Sequence, residues 1–197
     1  MTIAQVAPLV ESVPPHGYGG TERVVSSLTE ALVRQGPQGT LLASGDAVTQ
    51  ARLGAAWARS LRLDQACRDQ RAPHLVQFAQ VCRQASAFAL IHCHLDYGHF
   101  PLAVRQPSPT VTTLHGWLDV PDVGPLYPMF PSMPLVAIAD AQRTPLPWGN
   151  WLGTVYHGLP EDLSTFREMP GTSLALLGRI APDKGVDQAG MRLRRDS

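Results

Sequence analysis

The stretch TIAQVAPLVESVPPHGYGGTERVVSSLTEALVRQG, residues 2 to 36, decides the fold. Thr2 to Ala7 is a short apolar run of strand type. The loop that follows, Val13 to Gly20, holds two prolines and three glycines, a density that suits neither a helix nor a strand. A helix then begins near Thr21: Val24, Val25, Leu28, Ala31 and Leu32 recur at helical spacing, and Gly36 followed by Pro37 supplies the stop. Strand, glycine-bearing turn and amphipathic helix, in that order, open an α/β fold in which helices cover a parallel sheet.

The rest of the chain repeats the alternation. Thr40 to Ser44 reads as the second strand, although Pro37 to Gly39 before it lacks the expected β-formers. Leu75, Phe78, Ala79 and Cys82 mark a helix face. Strands are expected at Leu90 to His94, Thr110 to Leu114, Leu135 to Ala139 and Leu152 to His157. The proline- and aromatic-bearing stretch Val120 to Pro134 between them reads as an irregular surface loop. Beyond Gly158 the chain turns polar as far as Pro170, and a new buried strand is expected at Leu174 to Leu177. The organisation read here is a Rossmann-like domain over residues 1–160, a linker over 161–172, and the start of a second domain over 173–197.

Composition narrows the function. A chain of 197 residues with 44% hydrophobic content has room for one well-cored domain and a remnant. Sixteen basic residues balance sixteen acidic ones, so no overall field favours nucleic acid, and an anionic ligand must be held locally. Cys67, Cys82 and Cys93 are odd in number and lack metal-type spacing, which fits a reducing cytoplasm better than a disulfide framework. No stretch reaches the roughly 20 apolar residues of a membrane span. A cytoplasmic protein is expected, with peripheral membrane contact still open.

Four constellations carry possible chemistry. HGYGGTER, His16 to Arg23, places paired glycines before a helix start, where backbone amides can approach a phosphate. It is not the dinucleotide G-x-G-x-x-G pattern, and a plain tight turn would also explain the Gly19–Gly20 pair. TLHG puts His115 at the carboxyl end of a strand, where open α/β sheets hold their ligands; a histidine there either touches substrate or is tied to the strand end. GRIAPDKG sets Arg179 and Lys184 across a strand-to-helix turn, a pairing that makes a diphosphate clamp if the cations converge. In IHCHLDYGH, His92 and His94 share a strand face. No metal site is assigned to them; they read as strand-end histidines under the crevice, with Cys93 turned into the core.

Taken in order, IAQVAP, YGGTERVVSSLTEALVRQG, LIHCHLDY, TVTTLHG, ADAQRTPLPW, GTVYHGLP and LALLGRIAPDKGVD resemble the family 4 glycosyltransferases, over about residues 1 to 187. These are retaining enzymes of the GT-B architecture, two facing Rossmann-like domains with the reaction in the cleft between them. The resemblance implies an acceptor-side domain, a nucleotide-diphosphate sugar as donor, a sugar or lipid-linked acceptor, and no cofactor. It implies that Gly19 and Gly20 lie near the donor diphosphate, that His115 contacts the transferred sugar, and that Arg179 and Lys184 grip the leaving group. His16, Glu22 and His94 are further candidates for substrate contact. The family's donor-binding glutamate pair has no counterpart here, and the last residues run DQAGMRLRRDS, so the expectation is a truncated second domain and a chain inactive alone. A non-catalytic partner module and a sugar-nucleotide epimerase relative are the alternatives.

Overall fold

The computed structural model describes residues 1–158 and the single positions Pro160, Leu163, Glu168, Met169, Ile180, Gly185 and Val186. The chain divides into two compact units, Met1–Pro160 and Glu161–Ser197. The expected strand at 174–177, most of the 161–172 linker, and both Arg179 and Lys184 lie outside the described residues.

Among the described residues, seven strands make one sheet: β1 (Thr2–Val6), β2 (Gln38–Ser44), β3 (Arg52–Trp57), β4 (Leu90–Cys93), β5 (Thr110–Thr113), β6 (Leu135–Ala137) and β7 (Trp151–Thr154). Every pairing is parallel, in the order β3-β2-β1-β4-β5-β6-β7. This is the α/β, Rossmann-like sheet expected from the alternating pattern, with its reversal of strand order between β1 and β4. Three helices are described with it, α1 (Gly20–Arg34), α2 (Arg71–Gln84) and the short α3 (Phe100–Ala103).

The central strand β1 is buried on both faces, as a parallel strand under helices must be: Ala4 and Val6 are fully covered and Ile3 nearly so. One core cluster joins Ala4, Val6 and Ile91 to Phe78, Val81 and Ala85 of the α2 region. A second joins Ala7, Leu41 and Ala43 to Val25 of α1. A third gathers Phe100, Leu114, Tyr127, Met133 and Leu146 beside β5 and β6. The stretch expected as a surface loop is thus pinned from within by Tyr127 and Met133.

Three local expectations are corrected. β3 was not foreseen, because RLGAAW carries no β-branched residue to advertise a strand. It is built without a helical crossover: Glu30 of α1 accepts the Thr49 hydroxyl at 2.6 Å and the Gln50 amide at 3.0 Å, turning the chain back beside β2. The face of α2 is rotated from the expected one. Leu75 is 62% exposed, while Pro73, Gln77, Phe78 and Val81 are buried. The buried line contains a polar residue because the Gln77 amide donates to the Ala7 and Leu42 carbonyls at 2.8 and 3.1 Å. Lastly, β2 begins at Gln38 despite the missing β-formers. Gln38 and Gly39 pair with Thr2 and Ile3, and Val33 and Ala51 pack where a Gly39 side chain would stand.

Candidate functional site

In an all-parallel sheet every strand ends at the same edge, so the loops after β1, β4, β5 and β7 share one rim. Side-chain alternation then sorts the histidines. Gln5 of β1 stands opposite His92 of β4, and His92 stands opposite Val111 of β5, so Gln5, His92, His94 and Thr113 fall on one face. Cys93 and Thr112 fall on the other, where His99 bonds the Thr112 hydroxyl at 2.8 Å and packs edge-on against Phe100. The IHCHLDYGH histidines are therefore divided by the sheet, and His99 belongs to the apolar side. Cys93 is buried there, as expected, and burial pushes its thiol far up.

On the first face the polar groups form one chain. His92 Nε2 lies 2.8 Å from Thr113 Oγ1. The Gln5 amide nitrogen lies 3.4 Å from His92 Nδ1, and its carbonyl oxygen 2.9 Å from His94 Nε2. His94 Nδ1 lies 2.9 Å from His115 Nε2. The rings stack along the same line: His92 on His94 at 4.2 Å, His94 on His115 at 5.2 Å, His115 on His157 at 5.3 Å. His94 is 3% exposed with both nitrogens engaged; His115 is half-buried; His157, three residues past β7, is exposed. His115 Nδ1 is covered and has no protein hydrogen-bond partner.

Burial keeps the imidazoles of this row neutral. Burial lowers His115 to about 3 and His92 to about 4. It drives His94 well below the ordinary range, and the neighbouring His92, His115 and His157 add to the effect. At neutral pH such a cluster donates and accepts hydrogen bonds and supplies no positive charge. Among the described residues, no group of three or more His, Cys, Asp or Glu is placed to hold a metal ion.

His115 is also fixed through its backbone. Gln142, in the turn Asp140–Arg143, donates to the Leu114 carbonyl at 2.9 Å and to the Gly116 carbonyl at 2.8 Å, while its own oxygen accepts the Ile138 amide at 2.9 Å. From the other side, Asp96, at a φ of 43°, accepts the Gly116 amide. Burial raises the Asp96 carboxyl, and that hydrogen bond partly offsets the rise.

The glycine loop is shaped differently from its neighbours. Gly19 is the N-cap of α1 at a φ of 154°; a Cβ there would stand 2.7 Å from Pro15 Cβ, so only glycine fits. Gly20 is exposed, and a Cβ on it would meet nothing within 4 Å. Glu22 turns inward beside Gly19 and is buried. Burial raises its carboxyl, opposed by the backbone N–H groups of Glu22 and Glu11. His16 is exposed on the loop itself. The exposed aromatics Tyr97 and Trp117 follow β4 and β5 on the same rim, the latter 62% exposed.

Of the residues singled out from sequence, the structure brings His94 and His115 into direct contact and sets Gly19, Gly20 and Glu22 together at the start of α1. Gln5, Gln142 and His157 were not singled out. Gln5 had left a signal, as the polar residue of IAQVAP in a strand that must be buried on both faces.

A family model described as Glycosyltransferase Family 4 matches residues 18–160. No curated protein matches the chain. No helix among the described residues is long and apolar enough to cross a membrane.

Proposed function

The chain belongs to glycosyltransferase family 4, and from that membership we propose that its first unit is the acceptor-side wall of an enzyme that moves a sugar from a nucleotide-diphosphate donor to a sugar or lipid-linked acceptor, with retention. The observation that carries the reading is His115, a neutral imidazole at the rim beside the strand-order reversal, held by Gln142 through its flanking carbonyls and by His94 through its ring. A group so constrained can orient a hydroxyl of the transferred sugar, and pre-set orientation lowers the barrier without charge.

In this reading Gly19 and Gly20 face the donor diphosphate, where an unhindered backbone lets an anion approach the start of α1. Arg179 and Lys184, which lie outside the described residues, are assigned by the family resemblance alone to the diphosphate leaving group, whose building charge two cations would stabilise. His16 and Trp117 meet the acceptor. Glu22 supports Gly19 from beneath, and His94 acts through His115. The work is done in the cytoplasm without a resident cofactor.

Transfer of labelled sugar from UDP, GDP and ADP donors, by the chain alone and by the chain joined to a donor-binding domain of the same family, tests the proposal. The expected result is transfer by the joined form, with the product's anomeric configuration matching the donor's, and its loss in His115→Ala. A joined form that folds yet transfers from no donor, or a His115→Ala form as active as the parent, would overturn it.

A further inference from the structure

The run of hydrogen bonds from Thr113 to His115 has a direction, and Gln5 sets it. A primary amide is an acceptor at its oxygen and a donor at its nitrogen. With the Gln5 oxygen 2.9 Å from His94 Nε2 and its nitrogen facing His92 Nδ1, His94 carries its proton on Nε2 and His92 accepts on Nδ1. Each ring then has one remaining role. His92 donates from Nε2 to the Thr113 hydroxyl. His94 accepts on Nδ1, so His115 must donate from Nε2. The proton of His115 is thereby committed inward, and its Nδ1 is left as a bare acceptor.

The opposite orientation of the Gln5 amide would invert every ring and leave a covered N–H on His115 without a partner. An orphaned buried donor is rarer in proteins than an orphaned acceptor, which favours the direction drawn. We propose that Gln5 is a positioning residue which, through His94, sets the tautomer of His115, holding its one proton on Nε2 and inward, so that this ring has no N–H to offer a substrate. The inference rests on the reading of His115 as the substrate-facing group. It adds which substrate chemistry His115 cannot serve: with its one proton held by His94, it donates to no phosphate or carboxylate oxygen.

The test needs no turnover. Two-bond proton–nitrogen correlation spectra of the 15N-labelled full chain at neutral pH distinguish a protonated from a bare ring nitrogen. The expected result is a protonated Nε2 and a bare Nδ1 in His92, His94 and His115 alike. Gln5→Glu replaces the amide with a group that only accepts, so His92 should move its proton to Nδ1 while His94 and His115 keep theirs on Nε2. Gln5→Leu, if folded, should leave His115 a mixture of tautomers. A wild-type His115 protonated on Nδ1 would overturn the proposal, as would an unchanged His92 in Gln5→Glu. Because these spectra do not depend on transfer, they can succeed where the transfer assay fails, and the reverse, so the two readings are judged separately.

Discussion

Gln142 grips the chain on both sides of His115, its amide nitrogen reaching the Leu114 carbonyl at 2.9 Å and the Gly116 carbonyl at 2.8 Å. One side chain thus replaces the ladder that β5 gives up when it ends at Thr113. Gln142→Ala should cost about 1–3 kcal/mol by leaving these backbone groups short of partners, and it should lower transfer by more than its stability loss explains. Thermal unfolding read beside transfer rate checks this. A variant of unchanged stability would show that water replaces the amide without cost.

Gly19 and Gly20 are neighbours with opposite tolerances. Gly19→Ala must displace Pro15 and strain a positive φ, and should destabilise by about 1–3 kcal/mol. Gly20→Ala has open space and should leave the melting temperature near the parent's, while weakening donor binding if the backbone there approaches a diphosphate. Equal melting temperatures for the two variants would contradict the geometry at Gly19.

The buried imidazoles make stability depend on pH in a stated direction. His115 and His92 are lowered from the ordinary value near 6.5 to about 3 and about 4. Between those limits the unfolded chain takes up protons that the folded chain refuses, so stability is fully present above about 6.5 and falls as pH drops. Glu22 and Asp96, both raised by burial, act in the opposite sense nearer the carboxylate range. The clean window is therefore from about 7 down to about 5.5. Melting curves across it should shift downward; His115→Gln should flatten the slope. A wild-type slope of zero would refute neutral imidazoles at this rim.

Trp117 is 62% exposed, and its loss should change folding stability by no more than about 0.5 kcal/mol. If the ring lies against an acceptor, Trp117→Ala gives up burial worth about 1.5–3 kcal/mol, so KM for the acceptor should rise roughly tenfold or more while KM for the donor holds. A rise in donor KM alone would place Trp117 on the wrong side of the reaction.

Much of this was legible in the chain. The order of β1, the glycine turn and α1 could be read from residues 2 to 36, because each element there is signalled by its own neighbours. His115 could be placed at a strand end for the same reason. What escaped reading depends on partners elsewhere. β3 owes its form to pairing with β2 and to Glu30, and RLGAAW alone says little. Leu75 was assigned inward because an apolar face is the usual guide, whereas Gln77 is drawn under the sheet by the carbonyls of Ala7 and Leu42. Gln5 is visibly anomalous in β1, but its role depends on His94, 89 residues away, and no local pattern connects them.

That distance has a consequence for how the molecule comes to work. The imidazole row draws on β1, β4, β5 and the stretch after β7, so no contiguous segment contains it. The contact between Gln5 and His94 closes a loop of 89 residues, and contacts of such separation carry a loop-closure cost that local ones do not. A chain that has collapsed with most of its helices in place can still lack the whole row. Its ring nitrogens therefore report that all of these segments have come together, and any competence that depends on the row needs every one of them in place.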